Sequence, residues 1–384
     1  MRAVRKPLIA LAAGGTGGHV FPALAVAESL RSAGVDTILL TDQRGAKLVP
    51  EAGHVILPSA SPFQIGLTRK ARALALLAAG SAMTLMLIMR RRPAAMIGFG
   101  GYPAFAPLLA TRLRGVPSLL HEQNAFLGRA NRMLANWTGH LALSWDDTRN
   151  LPDGVTHFTA GMPVRSAFFD IKDASAKAPR KIGLTIIGGS LGAGVFADLV
   201  PAAIDLLPAS LQRRLVITQQ CRAEQIDALT RRYAALQIDA AIKPFFNDMP
   251  AVMAGSHLVI SRAGASSVAE LAAAGRAAVL MPFAAAMDDH QSANALQFEK
   301  AGGGMSVKET GLTPSTLAKH LEALLSDPAK LAEMGRNARR IAAPHAADCI
   351  AKYALDLAGL KFDSQEIRAS AGDAPTFTPK GQVL

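Results

Sequence analysis

Leu8-Ile9-Ala10-Leu11-Ala12 runs directly into Ala13-Gly14-Gly15-Thr16-Gly17-Gly18-His19, and the same design returns where Ile182 to Ile187 meets Gly188-Gly189-Ser190-Leu191-Gly192. Each time a short apolar run reaches a turn without bulky side chains and then a helix-like stretch. A strand, such a turn and a helix N-terminus gather backbone N–H groups around one point, where an anion is favoured. Two copies predict two doubly wound α/β domains facing one cleft. Only the first loop ends on a histidine, a side chain that moves protons near neutral pH.

Alternation extends outward from these loops. In the first half, strands are expected at Leu8 to Ala12, Val35 to Leu40, a run ending at Met96 to Gly98, and Pro117 to His121. Helices are expected over Pro22 to Ala33, Pro103 to Arg114 and Leu127 to Asn136. After Gly161-Met162-Pro163 the pattern restarts behind a polar stretch, Lys172 to Arg180. Strands follow at Ile182 to Ile187, Leu215 to Thr218, His257 to Ser261 and Ala277 to Met281, with helices opening at Ala265 and Asp289. Strand and helix in alternation predict parallel sheets covered on both faces. Two domains suit 384 residues, since single cores stop growing at roughly 250 to 300. The expected division is 1–163 and 164–345, then a helix over 346–362 packing back on the first domain and a flexible tail over 363–384.

Half of the residues are apolar and 5% aromatic, which suits a helix-rich α/β protein and excludes disorder for its bulk. Cys221 and Cys349 are the only cysteines, too few for a disulfide framework or a four-cysteine zinc site. The formal charge of +12 calls for an acidic partner: nucleic acid, anionic lipid headgroups or a phosphorylated substrate. Its placement narrows the choice. Arg69, Lys70 and Arg72 precede, and Arg90, Arg91 and Arg92 follow, the uncharged run Ala73 to Met89. That run is shorter than the about 20 apolar residues of a membrane span. It reads as a buried helix, as one whose apolar face meets a membrane with arginines on anionic headgroups, or, only marginally, as a membrane span. No secretory signal precedes the first strand, so the expected location is inside the cell.

Ligands of open α/β sheets sit beyond the carboxyl ends of the strands, where the further motifs also fall. Gly14 to Gly18 lacks the lysine and hydroxyl of a P-loop, and Val20 replaces the third glycine of the dinucleotide fingerprint, although Asp42 stands near the place of a ribose-binding acid. His19 is either a capping or buried histidine or a proton carrier. Gly98-Phe99-Gly100-Gly101-Tyr102-Pro103 either lets a backbone approach a ligand or tightens a connection. His121-Glu122-Gln123-Asn124 places four polar residues at a strand end, poor core material that could orient sugar hydroxyls, hold a base's protonation state or bind metal. In Ser261-Arg262-Ala263-Gly264-Ala265-Ser266-Ser267-Val268-Ala269-Glu270, small residues leave N–H groups for phosphate and Glu270 reaches for ribose hydroxyls; the alternative is a capping role for Ser266 or Ser267. Asp288-Asp289-His290-Gln291 opens a helix and reads as a metal pair or a cap.

From about residue 8 to 350, Gly14 to Pro22, Gly98 to Tyr102, His121 to Asn124, Gly188 to Ala193, Arg262 to Ala265 with Glu270, and Asp289 to Gln291 with Asn294-Ala295 resemble, in order, the MurG family of peptidoglycan N-acetylglucosaminyltransferases. The resemblance implies a GT-B fold: two Rossmann-like domains facing an interdomain cleft, acceptor and membrane on the N-terminal side, UDP-GlcNAc on the C-terminal side. It matches Thr16, Gly17, Gly18 and Asn124 to positions that meet donor sugar and acceptor. Ser190 and the turn Ala265, Ser266, Ser267, Val268, Ala269 and Glu270 match positions holding diphosphate and ribose, and Gln291 one near the donor sugar. Phe246 matches an apolar contact to uracil. Arg165 matches the arginine after the family's Asn-Pro-Val, which here reads Met162-Pro163-Val164.

The expected chemistry is an inverting transfer of GlcNAc to the C4 hydroxyl of MurNAc, with His19 as general base and Glu122 orienting it or replacing it. No cofactor and no metal is implied, since the Asp288-Asp289 pair is not the family's device. The implied partners are UDP-GlcNAc, undecaprenyl-linked lipid I, an anionic membrane surface at the cytoplasmic face of the inner membrane and other cell-wall synthesis proteins, with no nucleic acid. On the residues alone two other classes stay open. An NAD-dependent oxidoreductase would use Asp42 but leaves the second-half motifs unexplained, and a noncatalytic membrane-associated protein would need neither His19 nor Glu270.

Overall fold

The computed structural model describes residues 6–49, 53–61, 66–175, 177–188, 194–283 and 290–360. It falls into two compact units, Met1–Arg165 with Ala343–Leu384, and Ser166–Ala342. The first contains β1 (Leu8–Ala12), α1 (Gly17–Ser32), β2 (Asp36–Thr41), α2 (Gln43–Ala46), β3 (His54–Ile56), α3 (Leu67–Arg91), β4 (Ala95–Gly98), α4 (Phe105–Arg114), β5 (Ser118–Glu122), α5 (Arg129–Thr138), β6 (His140–Leu143) and β7 (Thr156–Thr159). The seven strands pair in parallel in the order β3-β2-β1-β4-β5-β6-β7. Strand order therefore reverses between β1 and β4, and a crevice opens at the carboxyl ends of a sheet where this happens. The connections leaving those two strands are Ala13 to Thr16 and Phe99 to Gly101.

The second unit contains β8 (Ile182–Ile187), α6 (Gly194–Asp205), α7 (Ala209–Gln212), β9 (Leu215–Gln220), α8 (Ile226–Ala235), β10 (Asp239–Lys243), α9 (Met249–Ala254), β11 (Leu258–Ser261), α10 (Ala265–Ala274), β12 (Ala277–Leu280), α11 (His290–Lys300), β13 (Gly304–Ser306), α12 (Pro314–Leu325) and α13 (Pro328–Arg340). Its parallel order is β10-β9-β8-β11-β12-β13, reversing between β8 and β11. The loop at Gly188 and the turn Arg262 to Gly264 leave these strands.

Both faces of each sheet are covered, so central strands read as unbroken apolar runs. In β1, Ile9 and Leu11 face one core and Ala10 and Ala12 the other. The last helix, α14 (Ala346–Leu357), returns to the first unit, where Ile350, Ala351, Ala354 and Leu355 complete the core beside α1. The chain thus crosses between units twice, at Arg165 and at Ala343.

Two elements differ from the sequence expectation. Helix α1 opens at Gly17 rather than Pro22, placing His19 in its first turn and Pro22 inside it. The uncharged run Ala73 to Met89 belongs to a longer helix, α3, which takes in its flanking cations except Arg92, the C-cap, and is long and apolar enough to cross a membrane by length and composition. Only 28% of its most apolar window is buried. Its inward stripe is made of small and polar residues, Ala73, Gly80, Ser81 and Thr84, with Ile88. A Cβ on Gly80 would come within 2.8 Å of the Pro58 carbonyl and 2.9 Å of Ala106 in α4, which explains why the close side is the small side. Leu74, Met83, Met86 and Met89 face outward.

Candidate active site

At the β1–β4 crevice a carboxylate sets the loop. Oδ1 of Asp42, at the N-cap of α2, accepts 2.8 Å hydrogen bonds from the backbone N–H groups of Gly15 and Gly45. Gly14 fits because a Cβ there would lie 2.8 Å from that oxygen and 2.9 Å from Pro103, and Gly15 takes a left-handed φ of 79°. Asp42, expected on the oxidoreductase reading to bind a ribose, is instead buried and occupied in holding this loop. That corrects the reading and removes its main support.

Thr16 precedes α1 in an extended conformation and caps no N–H with its side chain; its Oγ1 lies 3.4 Å from Nδ1 of His19. A Cβ on Gly101, whose φ is 71°, would stand 3.3 Å from the His19 imidazole. Gly101 of the β4 loop thus lets backbone lie against the histidine. Desolvation lowers the His19 pKa below its ordinary value, outweighing a hydrogen bond to the Gly14 backbone and the charge of Asp42. The imidazole is neutral at pH 7 and able to accept a proton. Beside it the Phe21 ring lies over Gly17, where a Cβ would be 2.7 Å away, and the Arg165 guanidinium sits 4.8 Å from that ring's centroid. Phe21 carries no functional signal in the sequence beyond its place four residues after Gly17, one helical turn on.

The His121 to Asn124 segment overturns the expectation that these residues make poor core material: β5 extends through Glu122, and His121, Glu122 and Gln123 are buried. Hydrogen bonds make this possible. A ring nitrogen of His121, Nε2, pairs with the Gly161 carbonyl at 3.1 Å and Nδ1 with the Gln123 amide at 3.3 Å, which assigns the proton to Nε2. Burial pushes the His121 pKa down to about 4, with the neighbouring His19 acting in the same direction. The Glu122 carboxylate accepts from the Asn124 backbone N–H (2.8 Å), the Asn124 amide (2.9 Å) and the Asn131 amide (2.8 Å). Glu122 therefore fixes Asn124, which is half-buried at the end of β5.

At the β8–β11 crevice, Gly264 is the N-cap of α10 and supplies no side-chain cap. Neither Ser266 nor Ser267 occupies the capping position. The first-turn N–H groups of Ala265, Ser266 and Ser267 have no partner within a helix by its geometry. Val268 differs from its neighbours: its side chain is buried and its N–H bonds to the Gly264 carbonyl at 3.0 Å. Ala269 and Glu270 are half-buried in the next turn. The turn is braced by Arg262, a residue given no role by the sequence reading. Its guanidinium donates to the Met281 carbonyl (3.1 Å) and to Glu309 (2.6 Å) and lies 5.0 Å from the ring centroid of Phe196 and 5.2 Å from that of Phe283. Asn294 of α11 donates to the Ala263 carbonyl at 3.1 Å, and the Gln291 side-chain oxygen accepts from the Phe283 N–H at 2.9 Å. Phe246, half-buried beyond the carboxyl end of β10, carries the Lys243 ammonium 5.9 Å from its ring centroid. Ser190, with the rest of its loop from Gly189, and the pair Asp288 and Asp289 lie outside the described residues. Among the described residues no group of three His, Cys, Asp or Glu side chains could hold a metal ion.

Each unit thus presents a helix N-terminus without a side-chain cap at the switch point of its own sheet, α1 after the glycine-rich turn Gly14 to Thr16 and α10 after Gly264. Residues 9–142 match the glycosyltransferase family 28 N-terminal domain and residues 183–350 the family 28 C-terminal domain. The chain is 42% identical, over 99% of its length and 98% of the relative's, to a UDP-N-acetylglucosamine--N-acetylmuramyl-(pentapeptide) pyrophosphoryl-undecaprenol N-acetylglucosamine transferase of Granulibacter bethesdensis. It is 41% identical to the protein of the same name from Paramagnetospirillum magneticum, over 92% of this chain and 97% of that one. Among solved structures, Acinetobacter baumannii MurG superposes with a TM-score of 0.72 at 29% identity, over 91% of this chain and 99% of that one. On its own architecture and on these similarities, the chain belongs to the MurG family of N-acetylglucosamine transferases within glycosyltransferase family 28, with a GT-B fold.

Proposed function

We propose that this chain transfers GlcNAc from UDP-GlcNAc to the C4 hydroxyl of MurNAc in undecaprenyl-pyrophosphoryl-MurNAc-pentapeptide, with inversion, in peptidoglycan synthesis. The observation that carries the reading is the His19 imidazole, held neutral in the first turn of α1 against Gly101 of the β4 loop. The C4 oxygen attacks the anomeric carbon while the bond from that carbon to the diphosphate oxygen breaks. His19 takes the hydroxyl proton, and UDP leaves with the bonding pair. Thr16, Gly17 and Gly18 border this base, and Glu122 acts by positioning Asn124 toward the sugars.

The leaving diphosphate gains charge, which the N–H groups of Ala265, Ser266 and Ser267 and the dipole of α10 stabilise without a metal. Ser190 and Arg165 add to that stabilisation. Glu270 accepts from the ribose hydroxyls, Phe246 packs on uracil, and Gln291 meets the donor sugar while fastening the chain after β12. Val268 and Ala269 shape the turn.

The acceptor's lipid places the reaction at the cytoplasmic face of the inner membrane, and we assign the outward apolar face of α3, with Arg69, Lys70, Arg72 and Arg90 to Arg92 around it, to that anionic surface. There the enzyme works beside other cell-wall synthesis proteins during growth and division. A thermal-shift titration tests the donor assignment: UDP-GlcNAc raises the melting temperature and NADH leaves it unchanged. The reverse pattern would return the oxidoreductase reading.

A further inference from the structure

A cavity of about 920 Å³ lies in the first unit at the amino-terminal edge of its sheet, beside Leu8 of β1, Thr37 of β2 and Ala94 before β4. This edge is opposite to the one carrying Gly14 to His19, so the cavity is no part of the site described above. Its wall includes the apolar side chains of Leu24, Val49 and Val55. Its rim is cationic: Lys6, Arg31, Arg91 and Arg92 stand against a single carboxylate, Asp36, among the described lining residues. Arg31 is held there by the Thr37 hydroxyl at 3.1 Å, and Arg92 closes α3 in a left-handed conformation with its N–H on the Ile88 carbonyl.

Cavities of roughly 300–1,000 Å³ suit compact ligands with an apolar body and a few polar anchors. Arginines recognise phosphate oxygens through paired N–H donors, whereas an apolar wall gains nothing from a free inorganic ion. We propose that this cavity binds one acyl chain of an anionic phospholipid, with the headgroup phosphate on Arg31, Arg91 and Arg92. Arg91 and Arg92 also end the helix whose outward face carries Met83, Met86 and Met89, so one element reaches both the bilayer surface and the cavity. The source of the lipid rests on the reading of α3 as the membrane-facing helix; the chemistry of the cavity does not.

The test is an isothermal titration of the full chain with lysophosphatidylglycerol below its micelle concentration, beside lysophosphatidylcholine and inorganic phosphate. The expected result is saturable one-to-one binding of the anionic lysolipid, at least about tenfold tighter than the zwitterionic one. It weakens about tenfold or more in R31E/R92E and in V49W. M83S/M86S, altered on the α3 face away from the cavity, binds lysophosphatidylglycerol as the wild type does. Equal binding of the two lysolipids, phosphate binding as tightly as the lysolipid, or unchanged binding in R31E/R92E overturns the proposal. Loss of binding in M83S/M86S also overturns it, because the ligand then sits on α3. Cosedimentation of M83S/M86S with phosphatidylglycerol vesicles tests the membrane reading separately, so the two can fail independently.

Discussion

The His19 imidazole is set by three neighbours: Thr16 at its Nδ1, the Gly14 backbone, and Gly101, whose missing Cβ leaves the ring its place. Because desolvation lowers its pKa, the acidic limb of the kcat/KM profile should fall below pH 6.5, the ordinary imidazole value. A limb at or above that value would contradict the assignment. The deeper histidine, His121, makes a prediction about stability instead. Its folded pKa of about 4 lies below the unfolded 6.5, so the unfolded chain binds more protons between those values. Stability should be insensitive to this group above pH 6.5 and should fall by roughly 3 kcal/mol as pH drops from 6.5 to 4. Denaturant titrations across that range should show the slope in the wild type and a shallower one in H121N. The polar segment from His121 to Asn124 stands out in the sequence as a candidate site at a strand end. Its burial was not, because the partners that satisfy it, Asn131 on α5 and the Gly161 carbonyl, are brought in only by tertiary structure.

At the scale of elements, the strands and helices around the two glycine loops follow from apolar runs and turn residues, while β3 and β13, of three residues each, carry too little pattern to be seen alone. The start of α1 was hidden by Pro22, which ordinarily marks a first turn but here stands one turn farther in. For α3, composition announced an apolar helix edged by cations, yet which face turns inward depends on how closely α4 approaches at Gly80. The outward methionines make a direct prediction. M83S/M86S should change unfolding stability by no more than about 0.5 kcal/mol, as exposed substitutions do, and should abolish most cosedimentation with anionic vesicles. Replacing Arg90, Arg91 and Arg92 with serines should weaken vesicle binding in a salt-dependent way. Unchanged binding in both variants would leave α3 without its assigned role.

In the whole molecule, the two glycine-rich stretches of sequence accompany a duplicated architecture, two parallel sheets that each reverse strand order once. The first unit carries 22 basic and 13 acidic residues and the second 19 and 16, so most of the positive charge lies on the unit that bears α3. The return of α14 to the first unit makes that unit discontinuous in sequence. Ending the chain at Ala342 strips Ile350 and Leu355 from their core beside Ile9 and Leu11, each worth about 1.5–3 kcal/mol when fully buried. Such a truncation should remove the first unit's cooperative unfolding transition in calorimetry while the second unit's remains. The most direct test of the central claim is GlcNAc transfer from UDP-GlcNAc to a short-chain lipid I analogue, followed with wild type and H19A at saturating substrates. The account predicts UDP release with a β-linked disaccharide product, and a kcat about 10²- to 10⁴-fold lower in H19A with the donor KM little changed. An α-linked product, or near-full turnover by H19A, would contradict it.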